Sequence, residues 1–232
     1  MTSLKYAALA VAFVLLWPAP EAWAHGIQGK DAAFVAANSG EQILPFLYLG
    51  AKHMVTGYDH LLFIFGVIFF LFRMAHVAIY VTLFSIGHSV TLLTGVLNEI
   101  DVNPFLVDAV IGLSVAYKAF DNLGGFQTLF GFQPGTRTAV LAFGLVHGFG
   151  LATKLQDLNL SPDGLAANLV SFNVGVELGQ LAALSLMLLV IVWWRTFSSF
   201  NRSAVVANAV LMTLGFALAQ YQFIFYLIEK GA

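Results

Sequence analysis

Residues 52–70, KHMVTGYDHLLFIFGVIFF, decide the fold. The second half is as apolar as a bilayer interior, and the first half brings His53, Asp59 and His60 to its edge. Imidazoles and carboxylates are expensive in hydrocarbon, so a chain that places them there has a use for them. The same apolar character recurs outward in both directions. Of 232 residues, 59% are hydrophobic and 9% charged, where a soluble domain carries roughly a quarter charged. Mean hydropathy is +0.86. This composition points to an integral membrane protein. The net charge of −2 gives no reason to expect a nucleic-acid partner. With no cysteine, disulfides, thiolate metal sites and cysteine nucleophiles are excluded.

Six apolar segments, near 53–72, 75–97, 105–122, 136–152, 166–194 and 203–228, are long enough or nearly so to cross about 30 Å of hydrocarbon as helices. The expected fold class is therefore all-α, a polytopic transmembrane helix bundle of six spans. Residues 1–24 have the pattern of a cleavable signal peptide. Lys5 gives the positive start, 6–16 form an apolar run too short to span, and Ala22, Trp23 and Ala24 make an A-x-A site. Cleavage there leaves His25 as the mature N-terminus; the alternative is a retained anchor. Residues 25–52 read as an exported N-terminal segment at the interface, and 53–232 as the transmembrane domain.

Basic residues set the orientation. With the N-terminus exported, every arginine (Arg73, Arg137, Arg195, Arg202) falls on the cytoplasmic side. The opposite loops carry Glu99, Asp101, Asp157 and Asp163, with Lys154 the only basic residue between spans there. That asymmetry follows the positive-inside rule.

Threaded this way, polar residues from five spans fall at a similar depth in the outer half of the bilayer: His53, Asp59 and His60, then His88, Asp108, His147, and Asn173 with Glu177. His53 and His60, seven apart, share a helical face, as do Asn173, Glu177 and Gln180. Asp59 points away from the His53/His60 face in an ideal helix and joins them only through a neighbouring helix or a distortion near Gly57. Asp59, Asp108 and Glu177 have no lysine or arginine expected at their depth, which leaves histidinium, protons or a divalent cation to compensate them. Imidazole with carboxylate and no thiolate suits nickel, zinc, cobalt or manganese. His88 or His147 alone reads equally as an interhelical hydrogen-bond partner, and Asp108 as a cap or a water-facing group. His25 adds an amine and a ring that bind metal if cleavage exposes them. The cytoplasmic half offers no polar path beyond Thr82 and Ser114.

The chain resembles the HupE/UreJ family of bacterial membrane proteins, in particular its second branch. The resemblance covers about 44–187 and rests on YLGAKHMVTGYDHLLFIFGV, GHSVTLL, VDAVIGLSVAYKAFDNL, FGLVHGFGLATKL and FNVGVELGQL, in that order. It implies a cleavable signal, six spans in the inner membrane, and uptake of nickel or a related metal for hydrogenase or urease maturation. The family's H-x5-D-H pattern falls on His53, Asp59 and His60, and its later His, Asn and Glu positions on His88, His147, Asn173 and Glu177. Asp108 stands where a glutamate is usual, Lys118 interrupts a span usually uncharged, and the histidine-rich N-terminal stretch is reduced to His25.

The leading expectation is a divalent-metal permease or metal-handling protein, carrying nickel, zinc or cobalt, rather than an enzyme. Its metal site comprises His53, Asp59, His60, His88, His147 and Glu177, with Asp108, Asn173, Ser89, Gln180 and His25 as further ligands or pathway residues. Its partners are the lipid bilayer, the metal ion and maturation factors. The N-terminus lies in the periplasm after cleavage. One alternative is an intramembrane metal-dependent hydrolase with Glu177 or Asp108 as base and Ser89 beside His88. Another is an accessory subunit whose polar cluster joins helices.

Overall fold

A computed structural model describes residues 30–37, 39–70, 74–157 and 161–231. The expected signal peptide, His25 and Arg73 lie outside the described residues. Among the described residues there are nine helices and no strands: α1 (Lys30–Ala37), α2 (Ile43–Thr56), α3 (Tyr58–Ile68), α4 (Met74–Leu97), α5 (Pro104–Asn122), α6 (Gly125–Phe130), α7 (Thr136–Gln156), α8 (Leu165–Trp194) and α9 (Phe200–Gly231). Four are long and apolar enough to cross a membrane: α4 from Ala75, α7, α8 and α9. The chain is an integral membrane protein of bundled helices. The other two expected spans, the third and the first, look different. Helix α5 has 19 residues but carries Asp108, Lys118 and Asp121. The first expected span is broken into α2 and α3 at Gly57.

Helix α2 also starts ten residues before the expected position, within the segment read as interfacial. Phe46, Leu49, Gly50, His53 and Met54 on one face are buried. Mixed polarity hid that face, and glycines set how closely it packs. A methyl on Gly175 of α8 would overlap the Leu47 carbonyl of α2, so glycine alone lets the two backbones meet. Asn168 locks the start of this pair: its Oδ1 accepts from Gln42 N at 2.6 Å, and its Nδ2 donates to the Gly40 carbonyl at 2.9 Å.

Two further pairs complete the frame. Helices α4 and α7 run side by side in the same direction, with Gly144 opposite Phe84 and Gly148 opposite the His88 carbonyl. Helices α5 and α9 run antiparallel. Asn103 donates to Glu229 at 2.8 Å at one end, and Asn122 donates to Asn208 at 2.9 Å at the other. Pro104 and the Asn103 side chain, which accepts from Phe105 N and Leu106 N, start α5 cleanly. Short α3 threads between the pairs. Phe63, Ile68 and Phe69 are buried there, and Phe63 packs edge-on against Phe143 of α7.

The two ends of the bundle differ in charge. Glu99, Asp101, Asp157 and Asp163 occupy one end, and Arg137, Arg195 and Arg202 the other. At the basic end the Arg195 guanidinium donates to the Phe69 carbonyl, closing the last turn of α3 against α8. Lys118 pairs with Asp121 at 2.5 Å, and Gln133 donates to the other oxygen of that carboxylate. The sequence expectation missed this network; its members lie on one helix and one loop with no periodic signature.

Candidate metal centre

The break at Gly57 builds the site. Gly57 N donates to the His53 carbonyl at 2.9 Å, ending α2, and its own carbonyl accepts from Leu61 N at 3.0 Å, starting α3. The chain turns between these two bonds at φ −77°, ψ 95°. His53 therefore sits in the last turn of one helix and His60 in the first turn of the next. Their rings meet edge to face at 5.2 Å. A Gly57 side chain would crowd His60, with a Cβ only 3.0 Å from Nδ1.

The same turn redirects Asp59. Its Oδ1 accepts from His60 N and faces His60 Nδ1, both at 2.6 Å. At a helix start the carboxylate is also favoured by the peptide dipoles. Asp59 thus reaches the centre through the local distortion that an unbroken helix lacks. It orients His60.

Four histidines converge. One nitrogen from each of His53, His60 and His88 lies within 4.8 Å of the other two, and all three residues are buried. The His147 ring lies 4.8 Å from His60 and is buried too. Two nitrogens on one metal are at most about 4.2 Å apart for bonds of roughly 2.1 Å, so small ring rotations close the site.

Tautomers are fixed by neighbours. Asn173 Nδ2 donates to the Leu169 carbonyl at 3.1 Å, which leaves Oδ1 as the acceptor facing His88 Nδ1 at 3.3 Å. His147 Nδ1 faces the Phe143 carbonyl, also an obligate acceptor, at 2.6 Å. In both rings Nδ1 holds the proton and Nε2 carries the lone pair. Both Nε2 atoms are buried without a hydrogen-bond partner among the described residues. A buried imidazole lone pair aimed at other imidazoles fits a divalent cation, and ligand histidines held through the second nitrogen are the usual arrangement.

The remaining expected residues go elsewhere. Asp108 does not lack a counter-charge. Helix α7 continues to Gln156, a turn past its expected end, so Lys154 reaches Asp108 Oδ2 at 2.8 Å. Glu177 is half-buried beside Ser89 in a groove between α4 and α8, outside the histidine group. Gln180 accepts from Ser85 Oγ at 3.3 Å. Towards the basic end Phe63, Ile64, Phe84 and Leu184 close over a void of about 10 Å³, no more than one water molecule in scale.

Apolar helices around a buried imidazole cluster define a polytopic membrane protein with a candidate intramembrane metal centre. A family model described as HupE / UreJ protein matches residues 29–230, and the chain belongs to that family. No curated protein and no solved structure matches it.

Proposed function

We propose that this protein takes a borderline divalent cation (nickel, zinc or cobalt) from the exported side of the bacterial inner membrane and holds it on His53, His60, His88 and His147 for passage inward. The observation that carries this reading is the meeting of histidines from α2, α3, α4 and α7, with His60, His88 and His147 each held through Nδ1 by an oxygen. Such donors favour late first-row cations over magnesium or calcium. Six passes, formed by α2 with α3, α4, α5, α7, α8 and α9, put the acidic end in the periplasm by the positive-inside rule. Acidic loops at that end attract the cation. A signal peptide at 1–24 and delivery to hydrogenase or urease maturation factors belong to the same reading.

The hydrolase alternative has less support. Of its two expected bases, Asp108 is engaged by Lys154 and Glu177 faces a groove rather than the imidazoles.

Elemental analysis of the purified protein after loading with nickel, zinc or cobalt tests the reading. Wild type should carry about one equivalent, and His53→Ala and His60→Ala should lose it while still eluting as folded protein. Equal metal in all three would remove the proposed ligands.

A further inference from the structure

The connection from α5 to α7 has no charged residue between Asp121 and Arg137. Residues 122–136 read NLGGFQTLFGFQPGT, whereas loops in water draw on polar and charged side chains. Helix α6 within it is amphipathic: Phe126, Leu129 and Phe130 share one face, and Gln127 and Thr128 take the other. Left-handed glycines, Gly124 at φ 74° and Gly131 at φ 73°, turn the chain into and out of this helix. The connection is held close to α5 at both ends. A methyl on Gly125 would overlap the Phe120 ring, so α6 starts flush against α5. Phe126 then packs on Tyr117 at 4.9 Å and on Phe120 at 4.8 Å. Beyond Gly131, Gln133 donates to Asp121. Past Phe126 the apolar face leaves the bundle: Leu129, Phe130 and Phe132 are 69%, 62% and 54% exposed, so nothing within the chain covers them.

Helix α5 shows what does cover them. Leu106, Val110 and Leu113 are exposed along one flank, and their spacing of four and three continues through Tyr117 and Phe120. On a membrane pass that stripe faces acyl chains, and α6 stands at its foot. Exposed Arg137, in the first turn of α7, follows directly and suits lipid phosphates. We infer that α6 lies in the plane of the bilayer at the basic end, with Leu129, Phe130 and Phe132 among the outer parts of the acyl chains and Gln127 and Thr128 turned to the headgroups. In-plane amphipathic helices seat their apolar face roughly 5–10 Å into this boundary. The inference rests on α5 crossing the membrane and is independent of the metal-handling reading. It gives the uncharged connection a role: the anchor fixes the depth of the α5 end, where the Lys118 stem packs at Gly66 of α3, the helix that carries His60.

Nitroxide labels on single cysteines test this, since the chain has no cysteine of its own and the labelled positions are exposed. In proteoliposomes, power-saturation electron paramagnetic resonance compares collisions with oxygen, which concentrates in hydrocarbon, and with chromium oxalate, which stays in water. Labels at Leu129→Cys and Phe130→Cys should meet oxygen severalfold more than chromium oxalate, and Thr128→Cys should show the reverse. Leu113→Cys, on the α5 flank, reports the pass itself and should meet oxygen alone. If the labels at Leu129→Cys and Phe130→Cys meet chromium oxalate as freely as Thr128→Cys while Leu113→Cys stays in hydrocarbon, the anchor is overturned and the pass stands. Spin–spin broadening at Phe130→Cys that disappears on dilution with unlabelled protein also overturns it, by showing a second copy on this face. A water-exposed Leu113→Cys removes the pass and the inference with it.

Discussion

Asn173 holds His88 in a single tautomer: its amide nitrogen is committed to the Leu169 carbonyl, so its oxygen faces His88 Nδ1 at 3.3 Å. The relationship makes Asn173 a positioning residue. Asn173→Leu keeps the volume and removes the acceptor. It should lower metal affinity about 10–100-fold, the usual range for such partners, without changing the number of sites. Competition with a chelator of known affinity measures this.

Asp59 does the same for His60 and adds a negative charge. Asp59→Asn should retain the bundle, since Asp59 is in the first turn of α3 and asparagine also suits a helix start. Affinity should fall at least as far as for Asn173→Leu, because both orientation and charge compensation weaken. A titration in which Asp59→Asn binds as tightly as wild type would make the carboxylate irrelevant to the metal.

Two glycines separate site from scaffold. At Gly57 the backbone is in a region open to any residue, but a methyl would meet His60 Nδ1 at 3.0 Å and the His53 carbonyl at 3.1 Å. Gly57→Ala should weaken metal binding about tenfold with little change in thermal unfolding. Gly175→Ala should instead lower the unfolding temperature markedly, since its methyl overlaps the Leu47 carbonyl and forces α2, with His53, from α8. The expected destabilisation is about 1–3 kcal/mol. Thermal unfolding beside a metal titration separates the two.

Asp108 depends on Lys154. Removing the ammonium leaves a buried carboxylate oxygen without its partner, at about 1–3 kcal/mol or somewhat more for a charged group. Lys154→Met should therefore lower the unfolding temperature, and adding Asp108→Asn should restore part of the loss. If the double variant is no more stable than Lys154→Met alone, the pair contributes no coupling.

The helical class, four of the long spans and the shared level of the histidines were legible in the sequence because apolar runs and residue spacing report them directly. His53 and His60 read as neighbours by their spacing of seven, and they do meet. Their meeting depends on a helix broken at Gly57, where the glycine offers a distortion as one of two ways to bring Asp59 in, although the spacing of seven does not itself encode the break. The Lys154–Asp108 pair was hidden for a different reason: it requires α7 to run one turn beyond its apolar stretch. Glu177 shares a periodic face with Asn173, yet it looks into a groove while Asn173 looks into the core. Periodicity gives the side of a helix, and neighbouring helices decide what each position on that side touches.

The central claim is that several imidazoles from separate helices bind one cation. X-ray absorption at the zinc edge of the loaded, purified protein tests it most directly. The account predicts a shell of three or four nitrogens at roughly 2.0–2.1 Å with the outer-shell scattering of imidazole rings, reduced by one ring in His88→Ala. A shell of oxygens alone, or a spectrum unchanged in that variant, would contradict it.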